Sequence, residues 1–536
     1  MTTTLYNHSY HQTAAAAAMR AAAPPSIRSI VIVGGGTAGW MTAMILADAL
    51  IDRGVSISLL ESPSVEVIGV GEGSTPWLRG FFDGLDIPES EWMPACNATY
   101  KCGIRFDGWS TKPGFETYFH PFASMLDNLT MTQFVHNSTA RVNGADVEAH
   151  PNRFFIATRL ADSNLAPIPA ESFPFDIWYG YHFDAVLLGK YLRRKAVERG
   201  IVYRQCHVTH ANLDERGDIA SVATREGDTI AGDFFVDCTG FASLLIGKAL
   251  ATPFVSFAEN LFNDAAVAMP TPIDGPIPPQ TVATAMKYGW AWKSPLTSRY
   301  GNGYVYSSAF CSASDAEHEL RETLGLLDSD VTARHLKMRI GRVTKHWNRN
   351  CLAVGLAQGF IEPLEATALL FIQKTAMGIV EFLESGDFSD AARDRYNQRV
   401  NEHFEGTRDY IVTHYKTNSR SDTEYWRANA ANLNLSEPLK RLLNRWMSGN
   451  NIVGEISALG SASAYPVFSW YCIMAGMGIF PDGDTLRRAS AREAQYSMAE
   501  IDNLLTRSTG NFRDHRSLLR AIPPRREEES LQLYFW

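Results

Sequence analysis

A cluster of glycines near the start of the chain constrains the fold more than any other stretch. An apolar run breaks at Gly34, and a helical pattern follows. Gly34, Gly36 and Gly39 have the spacing G-x-G-x-x-G, which gives a tight turn, lets the backbone approach a pyrophosphate and packs the helix closely on the strand. The sequence therefore predicts a helix whose first residues, Thr37 and Ala38, bind the phosphates of a dinucleotide.

A second strand and an acidic residue complete this pattern. Residues 55–60 predict a strand, and Glu61 at its end is placed to accept hydrogen bonds from a ribose hydroxyl. A further buried strand, predicted within residues 233–241, is typical of the strand that closes a nucleotide-binding sheet. The alternative is an ordinary strand-to-helix turn in an α/β protein, and the motif by itself does not distinguish NAD from FAD.

Length, charge and cysteine content exclude several classes of protein. The 536 residues predict two domains or one large enzyme domain with insertions. A formal net charge of −9 argues against a nucleic-acid partner. Seven cysteines without C-x-x-C spacing indicate a reducing, cytoplasmic setting and no structural metal site. Because no apolar stretch is long enough to cross a bilayer, we expect no membrane partner.

The sequence predicts three regions. We expect residues 1–26 to be a disordered alanine-rich extension, residues 27–388 to form a nucleotide-binding and catalytic core, and residues 389–536 to form a mainly helical region packed on that core. The predicted fold class is therefore α/β. It has a Rossmann-like βαβ core, an additional β-sheet and a helical C-terminal region that covers the substrate.

Several side chains outside the glycine motif are candidates for a second site. Lys101 lies in an alternating stretch that predicts a strand, where a lysine is ordinarily exposed to solvent. His120 and Phe122 belong to a short aromatic run. Trp290 and Trp292 are two residues apart and therefore face the same side of a predicted strand. Each of these features is also common in an ordinary protein core or surface.

A predicted helix start after Pro363 provides a candidate anion site. Apolar residues at positions 369, 372, 376, 379, 380 and 383 predict the helix. Its first N–H groups, near Ala366, Thr367 and Ala368, have no partner within the helix, and the positive end of the helix dipole attracts an anion. Glu365 stands beside this end of the helix.

Three of these segments together resemble the flavin-dependent halogenases of the tryptophan halogenase family. The first is the glycine motif. The second, residues 289–295, reads G-W-A-W-K-S-P and is similar to the family's G-W-x-W-x-I-P. The third is the pair Lys101 and Glu365, in the contexts N-A-T-Y-K and P-L-E-A-T, which are similar to the family's N-G-x-Y-K and P-L-E-S-T. The resemblance spans most of the chain.

The resemblance implies that the cofactor and the protein side chains carry out different parts of the reaction. FAD, reduced by a separate flavin reductase, would react with O₂ and with chloride or bromide to give hypohalous acid. Thr367 and Ala368 would bind the halide through their N–H groups. Lys101 would hold and polarise the hypohalous acid or carry the halogen as a haloamine, and Glu365 would accept a hydrogen bond or the ring proton. The substrate would be a small electron-rich aromatic compound, and a homodimer is compatible with the resemblance.

The resemblance also assigns residues between cofactor and substrate. Trp290 and Trp292 would separate the flavin from the substrate, and His120 and Phe122 would stack against the substrate ring. Two alternatives stay open. One is a flavin-dependent aromatic monooxygenase that hydroxylates the same kind of ring. The other is an inactive flavoprotein scaffold, against which the retained lysine and glutamate argue.

The chain departs from the family pattern at positions that bear on turnover, halide choice and substrate. Ser294 replaces the family's isoleucine, Ala366 replaces a serine, and Ala368 stands where glycine or serine is usual. Residues 454–466 are mostly small, whereas relatives that take free tryptophan carry a polar and aromatic lid there. Because small residues cannot pair the charges of a zwitterion, the sequence predicts an open site that takes indole or an indole-like compound rather than free tryptophan.

Overall fold

The structure is a computed structural model, and it describes residues 27–65, 69 and 71–522. The extension predicted for residues 1–26 therefore lies outside the described residues.

The strands are numbered in chain order. In the described residues they are β1 Ser29–Val33, β2 Ser56–Glu61, β3 Glu72–Gly73, β4 Thr99–Lys101, β5 Gly103–Asp107, β6 Thr117–Pro121, β7 Ala145–Asp146, β8 Leu165–Pro169, β9 Gly180–Phe183, β10 Val202–Gln205, β11 Val208–Leu213, β12 Ile219–Thr224, β13 Thr229–Ala231, β14 Phe234–Asp237, β15 Phe254–Ser256, β16 Ala265–Thr271, β17 Thr281–Ala285, β18 Gly289–Pro295, β19 Tyr300–Tyr306, β20 Arg334–Lys337, β21 Gly341–Val343, β22 Trp347–Asn348, β23 Cys351–Ala353, β24 Gly359–Phe360, β25 Arg487–Arg488 and β26 Phe512–Asp514.

The helices are numbered in the same way. In the described residues they are α1 Thr37–Leu50, α2 Trp77–Gly84, α3 Glu89–Ala95, α4 Asn128–Val142, α5 Ile156–Asp162, α6 Ala185–Glu198, α7 Ala313–Leu324, α8 Ala368–Ser385, α9 Asp390–Lys416, α10 Glu424–Ala431, α11 Glu437–Met447, α12 Val453–Ala458, α13 Val467–Gly476, α14 Met498–Thr509 and α15 His515–Ala521.

The predicted nucleotide-binding sheet is present, and the α/β fold class is confirmed. Six strands lie in the order β10-β2-β1-β14-β23-β22. The first five run parallel, and β22 pairs antiparallel with β23. The central strands β1 and β14 are apolar except for Ser29 and Asp237 at their ends, because both faces of a parallel sheet are buried. The strand predicted within 233–241 is β14, which pairs with β1 and so completes the sheet beside the glycine turn.

A second, seven-stranded sheet carries several of the candidate site residues. Its order is β20-β16-β19-β18-β17-β5-β6, with only β17 and β5 paired in parallel. Trp290 and Trp292 lie on β18, and their rings are on the same side as predicted, with centroids 6.3 Å apart. His120 lies on β6 at the edge of this sheet. The sheet therefore brings segments distant in sequence to one region.

The C-terminal region is mainly helical, as predicted, and two of its helices reach the centre of the molecule. The long helix α9 is polar over its first turns, but residues 409–415 are buried without interruption. Helix α13 is buried along almost its whole length and packs against β6. The helices therefore cover β6 and His120, the candidate substrate-binding residue on it. The division of the chain at residue 388 stays a prediction.

The helix that was predicted to start directly after Pro363 begins only at Ala368. Pro363–Glu365 form a 3-10 turn, Ala366 has a left-handed backbone with φ +56°, and helix α8 begins at Ala368. The Ala366 N–H is used inside the turn, where it donates to the carbonyl of Pro363 at 3.0 Å. Proline fixes a backbone angle that suits a first helical turn, but the reversal at Ala366 breaks the helix there.

Candidate active site

The glycine turn has the geometry that a dinucleotide requires. Gly34 has φ +118°, and a Cβ there would lie 2.1 Å from the carbonyl oxygen of Cys238. A Cβ on Gly39 would lie 1.9 Å from the carbonyl oxygen of Gly34, so helix α1 can approach the turn only with glycine at this position. A Cβ on Gly36 would meet nothing within 4 Å, so this residue borders open space. Two glycines thus close the turn and the third leaves room for a ligand.

The first turn of α1 leaves its amide groups for an anion. The helix begins after Gly36 with no side-chain cap and no acidic residue in its first turn. The N–H groups of Thr37 and Ala38, both half-buried, have no partner within the helix. The donors and the open space therefore fit the pyrophosphate of FAD.

Glu61 lies where the sequence predicts it, at the end of β2. A Cβ on Gly35 would lie 2.5 Å from its Oε1, so the carboxylate lies directly against the glycine turn. The Oε2 atom accepts a hydrogen bond from the Tyr203 hydroxyl at 2.7 Å, and Arg193 Nη1 lies 3.4 Å away. These two neighbours fix the carboxylate beside the turn. Its contact with a ribose stays a prediction.

Lys101 is fully buried, contrary to the ordinary expectation for a lysine in a strand. All three residues of β4 are buried because β4 is covered on both faces. The Nζ atom has no hydrogen-bond partner among the described residues and lies 5.5 Å from the ring centroid of Phe122. Burial lowers the pKa of Lys101 to about 7, although the carboxylate of Glu365 raises it. A large fraction of this amine is therefore neutral at physiological pH.

Glu365 lies between two histidines. His120 Nδ1 lies 2.9 Å from its Oε2 atom, and His414 Nε2 lies 3.1 Å from its Oε1 atom. The side chain is almost inaccessible to solvent, at 1% exposure. Burial works against ionisation, but the two histidines outweigh it and lower the pKa of Glu365 to about 2. Glu365 is therefore a carboxylate at neutral pH.

The structure brings His120 and Phe122 to the same cluster. His120 binds Glu365 through one ring nitrogen, and its Nε2 lies 2.8 Å from the Ser469 hydroxyl. Its ring orientation is therefore fixed from both ends. Phe122 is half-buried and faces the Lys101 amine. Stacking of either ring on a substrate stays a prediction.

The lid segment, residues 454–466, contacts helix α9 at two places. The small residues of the turn Gly460–Ala462 pack against Gly406 of α9, where a Cβ would lie 1.7 Å from the Ala462 carbonyl oxygen. Tyr465 then stacks on Tyr410 with ring centroids 3.5 Å apart and an interplanar angle of 9°. The openness of the site toward a substrate stays a prediction.

A model of the tryptophan halogenase family matches residues 29–492. The chain belongs to the tryptophan halogenase family. It is 38% identical over 481 residues to the tryptophan 6-halogenase SttH of Streptomyces toxytricini, with 83% of this chain and 88% of that protein covered. The crystal structure of that enzyme matches with a TM-score of 0.81 at 36% identity, covering 92% of this chain and all of the other.

A solved flavin-dependent halogenase from Brevundimonas sp. BAL3, BrvH, is also similar. It matches with a TM-score of 0.78 and 29% identity over 93% of this chain and its own full length. The present protein is therefore an enzyme, a flavin-dependent halogenase whose family implies the use of FAD and halide.

Three residues of this halogenase site were not predicted from the sequence. His414 and Tyr410 lie four residues apart on α9 and so face the same side of the helix. The signal that could have found them is the apolar and aromatic run 409–415 within an otherwise polar helix. Ser469, the partner of His120, carries no comparable signal. In the described residues no group of three His, Cys, Asp or Glu side chains is arranged so that it could hold a metal ion, and no helix is long and apolar enough to cross a membrane.

Proposed function

We propose that this halogenase places chlorine or bromine on the ring of indole or an indole-like compound, with Lys101 and Glu365 as catalytic residues. The observation that carries the proposal is the buried, unpartnered amine of Lys101 beside the ionised carboxylate of Glu365. A lone lysine in a dry site is costly to bury, which is typical of a residue kept for chemistry. Bound FAD, in its reduced form and with O₂ and halide, would supply hypohalous acid.

Lys101 has the properties of a group that binds the oxidant. Its neutral amine can accept the halogen from hypohalous acid, forming an N–halogen bond and releasing water, and its ammonium form can donate a hydrogen bond to the same acid. Both forms are populated near pH 7 because burial lowers the pKa of the amine to about 7. Phe122 keeps the amine in an apolar environment.

Glu365 has the properties of a group that receives the ring proton. Halogen transfer to an aromatic carbon leaves a cationic ring that must lose a proton, and a fixed carboxylate stabilises this cation and accepts the proton. His120 and His414 hold the carboxylate in place. The N–H groups of Thr367 and Ala368, at the start of α8, would bind the halide, and a separate reductase would supply reduced FAD.

The lid argues for a substrate without a free amino-acid group. Its one carboxylate, Glu455, is directed to Arg441 and Arg445, which lie 3.4 Å and 3.8 Å away. It is therefore not available to pair with a substrate ammonium group. Tyr465 stacks on Tyr410, so the lid presents aromatic surface next to Glu365. An apolar aromatic compound fits this surface better than a zwitterion does.

A competition assay tests the proposal. The full chain is incubated with a flavin reductase, FAD, bromide or chloride, and indole and tryptophan at equal concentrations. We expect haloindole as the main product in mass spectra, and no product without halide. A hydroxylated product that forms without halide would contradict halogenation, and preferential halogenation of tryptophan would contradict the substrate assignment.

A further inference from the structure

A second buried glutamate lies three residues before Glu365. Glu362 is fully buried, and its Oε2 atom accepts three hydrogen bonds: from Trp290 Nε1 at 2.8 Å, from the Tyr415 hydroxyl at 2.7 Å and from Asn263 Nδ2 at 2.9 Å. Its Oε1 atom has no hydrogen-bond partner among the described residues. A carboxyl group buried among neutral donors is costly, so its retention calls for a reason.

The three donors come from separate parts of the fold. Trp290 belongs to β18, Tyr415 belongs to α9, and Asn263 lies in the loop before β16. Asn263 also accepts a hydrogen bond from the Tyr425 hydroxyl at 2.9 Å. Glu362 therefore ties the beginning of the turn at residues 363–365 to the tryptophan strand and to α9.

The other end of the same turn is held by a matching set of contacts. Glu365 is tied to β6 through His120 and to α9 through His414, the neighbour of Tyr415 in sequence. The left-handed backbone of Ala366, with φ +56°, follows immediately and is unfavourable for a residue other than glycine. A strained turn of this kind persists only where surrounding contacts determine its position.

We propose that Glu362 is a positioning residue that fixes the indole of Trp290 and the turn carrying Glu365 in one arrangement. In this proposal, the positions of the indole and of the turn depend on the hydrogen bonds that Glu362 Oε2 accepts. They do not depend on the negative charge, since Glu362 Oε1 has no hydrogen-bond partner among the described residues. This inference rests on the proposed role of Glu365. Loss of the hydrogen bonds would let the carboxylate and the indole shift, and a displacement of about 1 Å is enough to lower turnover about 100-fold.

Two substitutions separate the hydrogen bonds from the charge. Glu362→Gln keeps an oxygen at the place of Oε2, removes the charge and replaces the unpartnered Oε1 with an NH2 group, whereas Glu362→Met fills the space and removes the acceptor. We expect Glu362→Met to lower kcat about 100-fold with little change in KM for indole, and Glu362→Gln to recover kcat to within about 5-fold of the parent protein. FAD binding, measured by flavin fluorescence, should be unchanged in both.

An NMR measurement reports on the position of the Trp290 indole and does not depend on enzyme activity. The indole N–H signal of Trp290 in protein labelled with ¹⁵N-tryptophan is assigned with Trp290→Phe. The chemical shift of this signal should change strongly in Glu362→Met and stay close to the parental value in Glu362→Gln. Asp127→Asn alters another buried carboxyl, which accepts the amides of Ser124 and Ile156, and serves as the control. It should lower thermal stability but leave kcat within about 3-fold.

The outcomes are distinct. Full activity in Glu362→Met, or equal loss in the Met and Gln variants, would overturn the positioning role. If the NMR signals behave as expected but the parent protein forms no halogenated product, the positioning role stands and the proposed function fails.

Discussion

At the scale of single residues, the amine of Lys101 is the group whose removal should lower activity most. Lys101→Ala should lower kcat for halogenation by at least about 100-fold. It should leave FAD binding intact because the amine lies outside the glycine turn. The measurement is product formation by mass spectrometry together with FAD affinity. Lys293→Ala removes an exposed lysine from β18 and is the matched control. A Lys101→Ala variant that still halogenates at the parental rate would refute the assignment.

The carboxylate of Glu365 makes a second residue-scale prediction. Glu365→Gln keeps the shape of the side chain but removes the charge that stabilises a cationic ring and accepts its proton. We expect kcat to fall about 100-fold while KM for indole changes less than about 3-fold, because the charge acts mainly on the transition state. Steady-state kinetics measure both constants. An unchanged kcat with a raised KM would make Glu365 a binding residue only.

At the scale of elements, the contact between α9 and the lid determines whether Tyr465 reaches Tyr410. Gly406→Ala places a Cβ 1.7 Å from the Ala462 carbonyl oxygen, so the turn Gly460–Ala462 must move away. We expect this variant to raise KM for indole several-fold and to lower the free energy of unfolding by about 1–3 kcal/mol.

A second helix glycine supplies the control for this prediction. In Gly378→Ala the new Cβ lies 2.8 Å from the flexible guanidinium of Arg399 and 3.4 Å from the ring of Tyr396, an ordinary contact distance, so the variant should be tolerated. Kinetics with indole and thermal unfolding of both variants provide the comparison. Equal kinetic effects of the two substitutions would show that the lid contact does not affect substrate binding.

At the scale of the whole molecule, burying Lys101 costs stability, and the cost depends on pH. The pKa of Lys101 is about 7 in the folded protein and near 10.5 when exposed. Below pH 7 both states hold the proton and the cost is complete. Between these pKa values only the unfolded chain keeps the proton, so the free energy of unfolding rises with pH and the cost fades.

Lys101→Met tests this dependence. The variant should be more stable than the parent protein by up to about 5 kcal/mol at about pH 6, and the difference should shrink toward about pH 9. Urea unfolding of both proteins at the two pH values measures it. A difference that stays constant or grows with pH would contradict the lowered pKa.

Local patterns in the sequence were enough to predict the nucleotide-binding part of the fold. The glycine spacing, the apolar strands and the acidic residue after β2 act over a few residues of chain, so their geometry follows from short-range sterics and hydrogen bonds. The paired tryptophans of β18 were predictable for the same reason. A resemblance to a known family added Lys101 and Glu365, which no local pattern distinguishes from ordinary residues.

Only the tertiary structure decided how the catalytic side chains are held. Residues from three distant segments, His120, His414 and Ser469, meet around Glu365, and the two histidines lower the pKa of its carboxyl group although burial raises it. The lid shows the same limit, since its sequence does not indicate that Ala462 packs on Gly406 or that Tyr465 stacks on Tyr410. Contacts between residues far apart in sequence depend on how the helices and sheets pack, and local composition does not determine that packing.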